Sequence, residues 1–117
     1  MLRLSQVKIR VITFFSLVLF LSACSDPLPQ DRLDYAGMWQ SHEMALLILA
    51  DGSVSYKRLK NGGTTSINGP LKEFDGDNFV VGIGPMATTF TVTEPPHQVD
   101  GQWQMVVDGV RLTKVEQ

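Results

Sequence analysis

One thiol, two imidazoles and a scatter of carboxylates are the groups in this 117-residue chain that could do chemistry. Cys24 is the single cysteine, so it has no disulfide partner within the chain, and its use must be sought among its immediate neighbours. His42 and His97 lie far apart in sequence with no ligand residue at metal spacing, and His42 and Glu43, adjacent on a strand, would face opposite ways. Glu73, Asp75 and Asp77 surround an Asp-Gly turn, the setting of solubilising loop carboxylates more than of a glycosidase pair. Gly82-Ile83-Gly84-Pro85 lacks both the lysine and the following helix of a phosphate loop. The serines and threonines, Thr88 and Thr89 among them, sit in no Ser/His/Asp arrangement or nucleophile elbow. The expectation is a protein that is not an enzyme and holds no metal and no cofactor. Lys57, Arg58 and Lys60 form the one basic patch, read either as a solvated, edge-protecting strand or as a docking patch for an acidic partner.

The stretch leading to Cys24 gives that thiol a context. Arg3, Lys8 and Arg10 precede an apolar run, Val11 to Leu21, broken only by Thr13 and Ser16: the charged head and greasy body of an export signal. At about 11 residues the run would rise roughly 16 Å as a helix, against a bilayer core of about 30 Å, so it is read as a cleaved signal helix and not as a membrane span. Leu21-Ser22-Ala23-Cys24 then resembles the lipobox of bacterial lipoproteins, in which a leucine and two small residues precede an acceptor cysteine. The resemblance implies diacylglycerol on the Cys24 sulfur, cleavage between Ala23 and Cys24, and a further acyl chain on the new amino terminus. Two or more chains, at about 0.8 kcal/mol per buried methylene, would anchor the protein stably in a membrane. In such lipoproteins an aspartate directly after the acyl-cysteine signals inner-membrane retention. Ser25 stands there and Asp26 one step later, so the resemblance points to the outer membrane, facing the periplasm.

Residues 1–23 are accordingly assigned to the signal, 24–33 to the lipidated cysteine with a flexible tether, and 34–117 to a β-rich periplasmic domain. Ser25 to Arg32 is rich in proline and charge, and as an extended tether would hold the domain up to roughly 25 Å from the lipid. Cleavage removes three positive charges and takes the net charge from -2 to -5, a poor balance for nucleic acid.

Asp51-Gly52, Asp75-Gly76, Asp100-Gly101 and Asp108-Gly109, with Asn61-Gly62-Gly63 and Asn68-Gly69-Pro70, divide the domain into short segments. Strands are expected at 37–41, 44–49, 54–59, 64–68, 78–81, 88–93, 103–107 and 110–114, several with clean alternation. Met44 to Leu49, apolar on both faces, is read as a central strand. The fold class expected is all-β: a small antiparallel up-and-down meander of about 7–8 short strands forming a barrel or half-barrel. Trp39, Phe74, Phe79, Phe90 and Trp103 could fill so small a barrel, leaving a packed core in place of a cavity.

Gly37-Met38-Trp39 at the start of the first strand, with Arg111 on the last, is similar to the calycin and lipocalin pattern. That likeness implies a tryptophan packed beneath a late arginine at the closed end of the barrel. Gly82 to Ala87 is read as an apolar loop that, with Pro95-Pro96-His97, either forms a recognition rim or covers one barrel end. The functional expectation is a non-enzymatic envelope module that binds another envelope protein or supports an envelope assembly. A calycin-like binder of a small hydrophobic ligand and an inhibitor of a periplasmic hydrolase are the alternatives.

Overall fold

The computed structural model describes residues 25–115, and the signal and lipobox positions, including Ala23 and Cys24, lie outside them. Among the described residues nine antiparallel strands make one sheet: β1 (Gly37–Gln40), β2 (Met44–Ile48), β3 (Ser53–Lys60), β4 (Gly63–Asp75), β5 (Asn78–Val81), β6 (Thr88–Phe90), β7 (Val92–Val99), β8 (Gln102–Val107) and β9 (Val110–Val115). Their order is β6-β5-β4-β3-β2-β1-β9-β8-β7, an up-and-down meander in which β9 returns to pair with β1.

The two edge strands of this order, β6 and β7, are consecutive in the chain and separated only by Thr91, so the sheet must curl into a half-barrel. Packing shows the same curl: the Phe90 ring on β6 meets Tyr56 on β3 edge to face at 4.9 Å, although the two strands are not sheet neighbours. At the break, the backbone groups that would otherwise be orphaned find side chains. The Asn78 Oδ1 accepts from the Val92 amide at 2.8 Å, and the Asp108 Oδ1 accepts from the Thr91 amide at 2.9 Å. The Asp108 amide donates in return to the Thr91 carbonyl at 2.8 Å.

Turn chemistry fixes the register. Asn61-Gly62, Asp100-Gly101 and Asp108-Gly109 each carry two successive positive φ angles between paired strands, the backbone of a type I′ hairpin turn. Asn and Asp tolerate the first such position and glycine the second, which is why these dipeptides mark the corners. β2 is buried or half-buried on both faces, as its sequence requires of a strand flanked by β1 and β3.

Two segments are longer than their sequence suggests. β4 runs through Asn68-Gly69-Pro70, expected to be a break, because this is where the strand passes from pairing with β3 to pairing with β5. Pro70 closes the β3 ladder opposite Ser53, and its carbonyl accepts from the Gly82 amide at 2.9 Å. The register then shifts between Leu71 and Glu73, bending the strand at the corner. β7 tolerates Pro95 and Pro96 because it is an edge strand whose pairing with β8 skips those two residues.

Trp39, Leu46, Ile48, Phe79, Val81, Met105, Val107 and Leu112 are fully enclosed, and Phe90 nearly so. The Phe79 ring stacks on Phe90 at 5.1 Å, while Phe74 and Trp103 are half-buried against this core.

A correction concerns the start of the folded unit. The segment assigned as a free tether, 24–33, is docked from its first described residue. Leu28 is buried with its amide donating to the Ala50 carbonyl at 3.0 Å, and the Ser25 hydroxyl donates to the Asp51 carbonyl at 3.1 Å. A 3₁₀ turn over Gln30–Tyr35 then leads into β1, with Tyr35 buried. Proline stiffens this segment, but Leu28 supplies the apolar contact that ties it down.

Asn78→Ala should lower stability by about 1–3 kcal/mol, since it leaves the Val92 amide without an acceptor, whereas Asn78→Asp should stay near wild type. Urea unfolding midpoints of the two variants check this.

Candidate functional site

The two ends of the half-barrel differ in chemistry. Ile48 pairs with Gly37 and with Val54, so the β2–β3 turn, the start of β1 and the docked N-terminal segment share one end, called here the entry end. β3 runs away from it, and Lys60 lies seven residues on from Ser53, about 23 Å at the usual rise of a strand. The β3–β4 hairpin tip therefore occupies the far end.

At the entry end the aromatic cluster is closed by a cation, and the residue concerned corrects the lipocalin-like expectation. Arg111 does not cover Trp39. Val110 and Leu112 face the core, so strand alternation turns Arg111 outward, where its guanidinium forks onto Glu94 at 2.8 and 3.2 Å and reaches Gln104 at 3.4 Å. The position opposite Trp39 in the β1–β9 register is Lys114, on the inward parity of Leu112. Its Nζ lies 4.8 Å from the Trp39 ring centre and 5.0 Å from that of Trp103, and donates to the Asp34 carbonyl at 3.1 Å. Gly37 makes room for this arm: a side chain there would press on the Lys114 methylenes. Burial holds the Lys114 ammonium below its usual pKa, with the Asp34 charge acting in the opposite sense.

Tyr35 completes the end. Its carbonyl accepts from Trp39 Nε1 at 2.9 Å and its hydroxyl donates to the Asp77 carbonyl at 2.9 Å. Burial first, and the Asp77 charge second, raise the Tyr35 pKa. Arg32 lies over Phe74 at 4.8 Å and stands 3.9 Å from Asp77. The acidic cluster thus serves a turn that the N-terminal segment grips, and Glu73, Asp75 and Asp77 are all exposed.

The expected basic patch is divided by the pleat. Lys57 lies on the outer face of β3 with Ser55, while Arg58 and Lys60 follow the parity of Val54 and Tyr56. Arg58 reaches Glu43 at 3.6 Å, and its Nε is enclosed with no hydrogen-bond partner among the described residues. Lys57 and Lys60 are exposed, as is Leu59 between them.

Beside this patch lies a feature that the sequence does not announce. β5 pairs with β4 only from Leu71 onward, so Gly63 to Gly69 is hydrogen-bonded to β3 on one side and to no strand on the other among the described residues. Every residue from Gly63 to Asn68 is exposed except Ile67, which is half-buried. The β5 length is the missing signal: a four-residue strand cannot flank a thirteen-residue one.

His97 bonds to the Pro95 carbonyl at 2.8 Å and stands 3.7 Å from Glu94, while His42 lies in the β1–β2 turn. Among the described residues no group of three His, Cys, Asp or Glu side chains is placed to hold a metal ion. Three clefts around the N-terminal segment, of about 390, 250 and 260 Å³, are open surface features, and Trp39, Phe79 and Phe90 are the largest side chains buried inside the barrel among the described residues. Pro95 and Pro96 line one cleft with Tyr35 and Asp77, whereas Ile83 lines another with Ser25, so the two halves of the expected rim are separate. Compared with known proteins, the chain matches no family model, no curated sequence and no solved structure.

Lys114→Ala should cost about 1–2 kcal/mol, from lost cation–aromatic and packing contacts, and should shift the tryptophan emission. Arg111→Ala, which removes an exposed pair, should cost less than about 1 kcal/mol and leave the emission unchanged. Because the Arg111 hydrogen bond lowers the Glu94 pKa, the contribution of that pair is present above the carboxylate's ordinary value of 4.5 and is lost as pH falls through the lower folded value. Wild type should therefore be more stable than Glu94→Gln by a constant margin above pH 4.5, and that margin should shrink as pH falls below it in an acid titration of stability.

Proposed function

We propose that the protein is a membrane-anchored envelope lipoprotein, most readily placed in the outer membrane facing the periplasm, whose β domain is a non-enzymatic docking module for another envelope protein. The anchor is acyl chains on Cys24 after cleavage at Ala23, supported by the signal-like head and the Leu21-Ser22-Ala23-Cys24 motif. Ser25 in place of aspartate supports the outer-membrane address.

The observation that carries the docking role is the open edge of β4 from Gly63 to Asn68. An unpaired strand edge presents backbone donors and acceptors that an extended segment can complete as an added strand. Lys57 and Lys60, exposed on the adjoining strand, favour a segment bearing carboxylates. Exposed Leu59 adds an apolar contact at the tip. The partner is therefore an acidic, extended stretch of a protein in the same compartment.

Cys24→Ser should abolish incorporation of labelled fatty acid and leave the unprocessed precursor; normal labelling of that variant contradicts the anchor. A photocrosslinking residue at Ser66 should trap a partner in intact cells, the same residue at Thr89 should not, and Lys57→Glu with Lys60→Glu should remove the adduct. Equal capture from both positions, or capture insensitive to the charge reversal, contradicts the docking edge, and a crosslinked second copy of this chain makes the edge a self-association site instead.

A further inference from the structure

Two apolar side chains are exposed more fully than any other large apolar residue among the described residues. Ile83 is 73% exposed and Met86 83%, both on the loop joining β5 to β6. Gly82 holds the base of that loop: its φ is +124, and a side chain there would meet the Met86 carbonyl at 2.6 Å. A short 3₁₀ turn over Gly84–Met86, with Pro85 inside it, keeps the tip compact. The tip thus presents Ile83 and Met86 outward, and the bond from the Gly82 amide to the Pro70 carbonyl ties its base to β4.

The position of the loop gives it a partner. Ile83 and Gly84 share a cleft with Ser25 and Asp26, and Ser25 is one peptide bond from Cys24. Leu49, 45% exposed, stands next to the turn that binds Ser25 and Leu28. The apolar tip and Ser25, the residue that follows the proposed anchor in sequence, therefore lie together at the entry end. Asp26 and Lys72 in the same cleft carry opposite charges, so apolar burial and not net charge is what this surface offers a bilayer.

We infer that the β5–β6 loop is a membrane-contact site: Ile83 and Met86 enter the lipid interface beside the acyl chains and hold the barrel with its entry end down. The inference rests on the proposed anchoring at Cys24. It orients the molecule, because the β3–β4 hairpin and its open edge then face away from the lipid.

The test uses the mature acylated protein in phosphatidylethanolamine and phosphatidylglycerol vesicles, with an environment-sensitive fluorescent amino acid in place of Met86 or, in a second preparation, of Thr64. Emission from position 86 should shift to the blue and be quenched by lipids brominated on their acyl chains, whereas emission from position 64 should do neither. Ile83→Asp in the position-86 preparation should reduce the quenching, and both side chains being exposed, the fold should survive. Water-like, unquenched emission from position 86 overturns the inference, and the mass of the same sample, with or without acyl chains on Cys24, shows whether the anchor has failed with it. Equal quenching at positions 86 and 64 also overturns it, since no oriented contact would then exist.

Discussion

The hydrogen bond from the Leu28 amide to the Ala50 carbonyl, made around a leucine side chain that is itself buried, fixes where the chain enters the barrel. Gly52 is what permits it. The Asp26 carbonyl lies so close to Gly52 that any side chain there would collide with it, and the glycine also holds a φ of +93 that other residues rarely adopt. The Gly52 carbonyl meanwhile accepts from the Leu71 amide at 2.7 Å, so one turn binds both the N-terminal segment and the corner of β4.

From that contact the rest of the entry end follows. The 3₁₀ turn leads into β1 with Tyr35 set edge to face against Phe74 and Phe79, ring centres 5.0 and 6.2 Å away. Tyr35 then supplies the acceptor for Trp39, whose ring carries the Lys114 ammonium 4.8 Å from its centre. Indole and phenol are both buried with their polar atoms satisfied, the condition under which such rings can fill a core. The seam at Thr91 serves the same end from the other direction, since Asn78 and Asp108 allow a strand to change partners without stranding its amides. A chain of this size with no cysteine among its described residues must reach stability through such packing.

Much of this was legible in the sequence. Alternation and the Asp-Gly and Asn-Gly dipeptides located the strands, and the five aromatic residues named as core-fillers do lie in or against the core. What was hidden had local signals that conflicted with tertiary need. Pro70 and the proline pair in β7 look like stops, yet each lies where a strand lacks a partner or changes one. Arg111 looked like the partner of Trp39 by type, but counting parity from Leu112 selects Lys114, a residue three positions later. The docking of Ser25 to Arg32 depends on a single apolar residue in a proline-rich stretch, too little for any periodicity to reveal. The open edge of β4 is a mismatch of strand lengths, which only the pairing discloses. The candidate lipid site is the opposite case: Cys24 is named by its sequence context alone and lies outside the described residues.

Two surfaces of different chemistry, an apolar tip at the entry end and an open, basic-flanked strand edge toward the far end, acquire a fixed relation to the proposed anchor only if the segment between anchor and barrel is rigid. Amide hydrogen exchange at Leu28 in the intact mature protein measures that rigidity directly. The account predicts protection of the Leu28 amide comparable to that of its neighbours in the β2–β3 turn. Exchange at the rate of an unstructured peptide would contradict it, returning residues 25–32 to a loose tether and leaving the barrel without a set orientation.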